Sequence, residues 1–274
     1  MEKERKIELK KILKVFVIVY LLGYILMLVY FYQNQRAIIF KPEARTVEEI
    51  NDFAKESGYF LMTNVTEDAL ELTYLLKEPK KNKPIIIFFN GNAAKIERAH
   101  ETLEPFFKQG YGAVINIYRG YGANPGSPTE KDFFSDSQNL YDLVNYSYPS
   151  NKIILWGYSL GSAVAIHLAA NNEARALVIE SGLSSVLDIA KSRYPFLPIG
   201  WLLEDKFLSI NYIKGVSEPA LMIHGKKDKV VDLKSAEKLS KNKNIKLLIY
   251  ENGDHSNLKE LDAYKDVLKW LKKL

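Results

Sequence analysis

The stretch Lys152–Ala170, KIILWGYSLGSAVAIHLAA, decides the fold. Lys152–Trp156 reads as a short buried strand and Leu160–Ala170 as an apolar helix. Between them stands Gly157-Tyr158-Ser159-Leu160-Gly161, a G-x-S-x-G. A serine on so sharp a strand-to-helix turn takes a strained backbone. Side chains two residues before and after it would collide with it or with neighbouring strands, which is why both are glycine. The turn lifts the hydroxyl above the sheet, and the following helix aims its positive end at the same point. The plainer reading of the motif is a tight turn with an exposed serine and no chemistry.

Outward from this turn, apolar runs alternate with amphipathic ones, the pattern of a parallel α/β sheet. Phe60–Thr63 and Leu70–Leu76 are an opening pair of predicted strands. Pro84–Phe89 follows, then a helix over Lys95–Lys108, a strand over Ala113–Tyr118 and a helix over Glu130–Tyr146. Beyond the central stretch come strands at Ala176–Glu180, Ala220–His224 and Lys246–Tyr250, and a closing helix Leu258–Leu271. The strands are apolar throughout, as expected when helices cover both faces of the sheet.

Composition narrows the chemistry. The 274 residues hold no cysteine, so disulfides, thiolate metal sites and cysteine nucleophiles are excluded together. A chain of this length buries a core without a metal or cross-link, and no metal or other cofactor is expected. Six basic residues (Lys3, Arg5, Lys6, Lys10, Lys11, Lys14) and three acidic ones occupy positions 1–14, so most of the formal +5 charge sits there. The remainder is close to neutral and presents no field for a nucleic-acid partner.

Val15–Tyr32, VFVIVYLLGYILMLVYFY, carries no Lys, Arg, Asp or Glu. At 1.5 Å per helical residue it reaches roughly 27 Å, close to a bilayer's hydrocarbon thickness. Its tyrosines include rings near the outer end, where interfacial aromatics gather. The rival readings are a buried core helix and a cleaved signal peptide; Asn34-Gln35-Arg36 stand where a small-residue cleavage site would be. The expected organisation is a basic segment 1–14, a transmembrane anchor 15–33 and a catalytic domain 34–274 with a cap-like insertion at 183–214. The basic flank predicts a cytoplasmic N-terminus with the domain on the far side.

The turn at Ser159, FFNGNAA at Phe88–Ala94, YRGYGANPGSPTE at Tyr118–Glu130, HGKKDKVV at His224–Val231 and NGDHSNL at Asn252–Leu258 together resemble the α/β-hydrolase superfamily. Within it the chain is similar to the single-pass, membrane-anchored branch that includes the bud-emergence-type proteins. The resemblance spans roughly residues 60–273 and implies a serine hydrolase. The chain departs from the family at Asn90, where histidine is usual, and at Ile117, where the branch commonly has aspartate.

A serine hydroxyl attacks only when a base takes its proton. Of four histidines, His100 lies in the helix after the Pro84–Phe89 strand, His167 points along its own helix, and His224 ends a strand as a structural residue. His255, in the Asn252-Gly253-Asp254 loop before the last helix, is the candidate base. The imidazole needs a carboxylate, and in this fold the order is serine, acid, histidine. Asp228 is the candidate. Asp232 reads as the N-cap of a Leu233–Leu239 helix, Asp254 as a turn residue, and Glu180 as a substitute acid at a strand end. Two donors must face the oxyanion. One is the backbone N–H of Leu160; by resemblance the other is that of Asn92. Arg119 reads as a brace of its own loop rather than a substrate contact.

The expected reaction is hydrolysis of a carboxylic ester or thioester through an acyl-enzyme. The insertion's Tyr194, Phe196, Leu197, Trp201 and Phe207 suit either a lipid-like acyl group or simple packing over the sheet. A non-catalytic, membrane-tethered binding or scaffold protein and an acyltransferase with the same triad are the alternatives. The oligomeric state is left open.

Overall fold

The computed structural model describes every residue except Ala94, the last residue of the FFNGNAA motif. The chain opens with α1, Glu2–Ile39, a helix longer than the expected 15–33 span at both ends. An 18-residue window within it has a mean hydropathy of 2.6 and none of its residues is buried, so it is long and apolar enough to cross a membrane. The sequence reading assigned no element between this helix and the first strand. The structure places α2, Val47–Ser57, there: Thr46 caps it in a reciprocal box with Glu49, and Gly58 ends it at φ 70°.

The strands β1 (Phe60–Val65), β2 (Glu71–Lys77), β3 (Ile85–Phe89), β4 (Gly112–Ile115), β5 (Ile153–Tyr158), β6 (Ala176–Glu180), β7 (Ala220–Gly225) and β8 (Ile245–Tyr250) form one sheet. Their order is β1-β2-β4-β3-β5-β6-β7-β8. β1 and β2 form an antiparallel edge, with Phe60 opposite Leu76, and β2 runs antiparallel to β4. From β4 to β8 every pairing is parallel. The crossover helices account for the two-sided burial of β3 and β5. Along the chain these are α3 (Ile96–Phe107), α4 (Glu130–Ser147), α5 (Leu160–Asn171), α6 (Val186–Arg193), α7 (Ile199–Leu202), α8 (Ser209–Tyr212) and α9 (Leu233–Leu239), and α10 (Ala263–Leu271) closes the chain after β8. α3 packs with α10, whereas α4 and α8 pack on α5.

β4 stops at Ile115, short of the expected Tyr118, because the chain there leaves the sheet and Tyr118 Oη donates to Asn90 O at 2.9 Å. The expected closing helix is two pieces. A 3-10 turn at Leu258–Leu261 is separated from α10 by Asp262 at φ 60°. The architecture is that of an α/β hydrolase, and the direction of chain growth reverses between β3 and β5. The crevice beyond the carboxyl ends of those two strands is where such sheets hold their ligands.

Candidate active site

Ser159 follows β5 directly with φ 51° and ψ −119°, a region rarely taken by residues bearing a Cβ. Its backbone N–H donates to Glu180 O at 2.9 Å, and Ser162 Oγ donates to its carbonyl at 2.6 Å, so both neighbours over-determine the strained turn. A Cβ on Gly157 would strike Gly161 O and Ser162 Cα; one on Gly161 would strike the carbonyls of Phe89 and Asn90. The flanking glycines thus let β5, α5 and the loop after β3 converge.

The hydroxyl meets its expected partner. Ser159 Oγ lies 3.0 Å from His255 Nε2, and His255 Nδ1–H points at Asp228 Oδ2, 2.8 Å away. The other oxygen of Asp228 accepts the backbone N–H groups of Val230 and Val231, each at 2.8 Å. Burial pushes the Asp228 carboxyl up. The His255 bond and charge, with those two N–H groups, outweigh it and hold the carboxyl below its usual range. The loops carrying acid and base are laced by Lys227 N–H to Gly253 O at 2.8 Å. That lacing needs Gly225 and Gly253, since a Cβ on Gly225 would enter the Gly253 backbone.

The remaining candidates fall elsewhere. His224 is buried beneath Asp228, with Nε2 3.0 Å from Val231 O, and burial holds its pKa down. His100 pairs with Tyr59 Oη at 3.0 Å, and His167 stacks on Phe134 at 4.0 Å. Asp232 caps α9 and Asp254 accepts N–H bonds in its own turn. Arg119 grips Asp136, Asp68 and Asp132, away from the serine. Glu180 is fully buried and accepts from Arg98, Tyr264 and Trp156. Burial raises its pKa against the opposing pull of Arg98 and those donors.

Arg98, not singled out in the sequence, does positioning work. Its guanidinium spans Glu180 and Ser256 O, the residue after His255, and lies 3.8 Å over the Tyr158 ring. Tyr158 Oη in turn donates to His255 O at 3.1 Å. The chain offered no signal for this, since Glu97 and Glu101 stand beside Arg98 on the same helix as ready local partners.

The loop after β3 approaches the serine at Gly91, where a Cβ would sit 3.2 Å from Ser159 Cβ. Asn92 and Leu160 border the same cavity as Ser159, about 130 Å³ in volume. Leu160 opens α5, so its N–H has no intrahelical acceptor. Asn92 O accepts Lys41 N–H at 3.1 Å and Tyr121 Oη at 2.9 Å, while its side-chain amide donates to Ile39 O at 3.3 Å. Ile117, noted above as a departure from the branch it resembles, is buried and packs near Gly122.

Comparison with known proteins bears on the fold. Residues 80–198 match the family described as serine aminopeptidase, S33. An uncharacterised protein of Mycobacterium tuberculosis is 29% identical over 77% of this chain and 76% of its own length. The lysophosphatidylserine lipase ABHD12 of Rattus norvegicus is 30% identical over 58% of this chain and 45% of its own. An esterase of Pyrococcus furiosus superposes with a TM-score of 0.67 at 20% identity, covering 86% of this chain and 98% of that one. The chain has the α/β-hydrolase fold. In that fold its strained serine stands at the topological switch point of the sheet, within reach of an imidazole.

Proposed function

We propose that this hydrolase is a membrane-anchored serine esterase that cleaves carboxylic esters or thioesters of lipid-like acyl groups. The observation that carries the reading is the unbroken relay from Ser159 through His255 to Asp228. Ser159 attacks the acyl carbonyl as His255 takes its proton. Asp228 holds the imidazole in the tautomer that accepts at Nε2 and stabilises the imidazolium. The N–H groups of Leu160 and Asn92 receive the oxyanion, each donor being worth about 2.7–4 kcal/mol. His255 then protonates the leaving group, and water repeats the sequence on the acyl-enzyme.

The cavity beside Ser159 supports an acyl substrate over a peptide. Its walls are Ile38, Ile39, Leu183, Val186, Ile189 and their neighbours, and no carboxylate is among the described residues that line it. An aminopeptidase must hold a substrate ammonium, and the one charged side chain among the described residues on this wall, Arg193, would repel it. That a relative is a lysophosphatidylserine lipase favours an amphiphilic ester. The apolar run of α1 suits a membrane anchor, with the N-terminus cytoplasmic and the domain on the far side.

The test is a fluorophosphonate probe beside p-nitrophenyl esters of graded length, a thioester and a lysophospholipid. Ser159→Ala is expected to abolish labelling and to lower turnover by about 10⁶. Labelling of a different serine, or full esterase activity in the variant, would remove the assignment.

A further inference from the structure

The anchor helix does not stop where its apolar run ends; it continues into the active site. Ile38 and Ile39, in the last turn of α1, form part of the wall of the Ser159 cavity. A second cavity, about 50 Å³, adjoins the first across Ile38, Ile39, Val186, Ala190 and Tyr194. Its further lining is Phe31 of α1 and Ile199, Leu202 and Leu203 of the cap, so it is apolar on all sides apart from Gln35. The two cavities lead from the nucleophile along the seam between α1 and the cap.

That seam is fastened at several levels. Tyr24 Oη donates to Phe196 O at 3.0 Å, and Phe31 meets the Tyr194 ring edge-on at 5.0 Å. Gln35 Oε1 accepts Glu204 N–H at 2.8 Å, and Arg36 reaches Glu204 and Asp205. Tyr24, Met27, Leu28 and Phe31 belong to the stretch read as the membrane span, yet they pack against residues 194–203. If those helix residues lie in hydrocarbon, the cap tip lies there too. An independent observation agrees: the side chains that the tip turns outward are Trp201, 93% exposed, and Phe196, 59% exposed. In water such rings are costly, whereas at a bilayer's interfacial layer tryptophan is favoured.

We propose that the cap tip, residues 194–203, is immersed in the bilayer beside α1, and that the seam is a lateral entrance. The acyl tail of a membrane-resident single-chain ester passes from the leaflet between α1 and the cap to Ser159. The inference rests on the esterase reading above and adds the route and the substrate class. It makes α1 a wall of the binding site as well as a tether.

The experiment uses the full chain in phosphatidylcholine vesicles. Its first arm compares tryptophan emission in ordinary vesicles with that in vesicles whose acyl chains carry bromine. Wild type is expected to lose emission to the bromolipid, and Trp201→Phe to lose that quenchable part, since Trp156 is buried in the core and Trp270 is partly buried on α10, which packs on α3 and β7 rather than on the cap. The second arm measures the ratio of kcat/KM for p-nitrophenyl laurate to that for the acetate. Leu202→Trp, which plugs the second cavity, is expected to lower that ratio at least tenfold, with the folded state checked by circular dichroism. Leu202→Met, a substitution of similar volume, should restore it. Hydrolysis with an unquenched Trp201, or with an unchanged ratio in Leu202→Trp, would overturn the lateral entrance alone. Wild type that turns over no ester of any length would overturn the esterase reading and the entrance with it.

Discussion

At the scale of single residues, Asp228 shows how one carboxylate serves two masters. One oxygen is tied to backbone N–H groups of its own turn and the other to His255. Asp228→Asn preserves the shape and removes the charge, presenting the imidazole with a donor as well as an acceptor. By analogy with the serine-protease triad, kcat is expected to fall about 10⁴-fold. The same change carries a signed pH dependence. Because the folded-state pKa is lowered, the ionised carboxylate adds stability above its unfolded pKa, about 3.9. That stability is lost as pH falls through the lower folded value. The stability gap between wild type and Asp228→Asn, followed by urea denaturation, should therefore be full near neutrality and close in acid. A gap that widened with acidification would contradict the bonding described.

At the scale of elements, the loop between β4 and α4 is braced by charge as well as by the apolar packing of Ile117, Tyr118 and Tyr121. Arg119 is buried and donates to Asp136 through Nε at 2.6 Å and through a second nitrogen at 2.5 Å, with Asp68 and Asp132 close by. Burial pushes the Asp136 carboxyl up, and Arg119 pulls it back. Arg119→Ala would leave that buried carboxylate without its cation, a loss of about 3–5 kcal/mol. The expected outcome is a lower urea midpoint, with esterase kinetics at low temperature close to wild type because Arg119 does not line the cavity. A large drop in kcat with unchanged stability would assign it a role in substrate binding instead.

Asp205 ties distant parts of the whole molecule together. One of its oxygens pairs with Arg36 of α1 at 3.1 Å; the other accepts the N–H of Glu130, the first residue of α4, at 2.8 Å. The N-terminal helix, the 183–214 insertion and a sheet-covering helix thus meet on one nearly buried carboxylate. Asp205→Ala strands the Glu130 donor, while Arg36 is half-exposed and can turn to water. The expected cost is about 1–3 kcal/mol, seen as a lower urea midpoint with an unchanged slope; no shift would mean that the junction is already solvated.

How much of this was legible follows from the range of the interactions. The elbow at Gly157–Gly161, the apolar strands and the order Ser159, Asp228, His255 are local patterns or sequence order, and the chain alone displays them. So was Asp232 as a helix cap. The capping box at Thr46 and Glu49 was equally local, as was the short stripe of Val47, Ile50, Phe53 and Ala54, so α2 too was legible in the chain although no element was assigned to it. The break at Asp262 was not local in the same way, since the Leu258–Leu271 stripe is continuous and only the backbone reveals the turn. Arg98 at the back of the His255 loop, the Gly225–Gly253 crossing and Ile38–Ile39 in the wall beside Ser159 join residues more than twenty positions apart. Sequence by itself determined which side chains are available and which short segments they shape, because backbone sterics and helix or strand periodicity act over a few residues. Only the tertiary structure decided which of them touch, because a contact between remote segments depends on how the whole sheet twists and packs. That is why a helix legible only as an anchor also borders the cavity at the nucleophile.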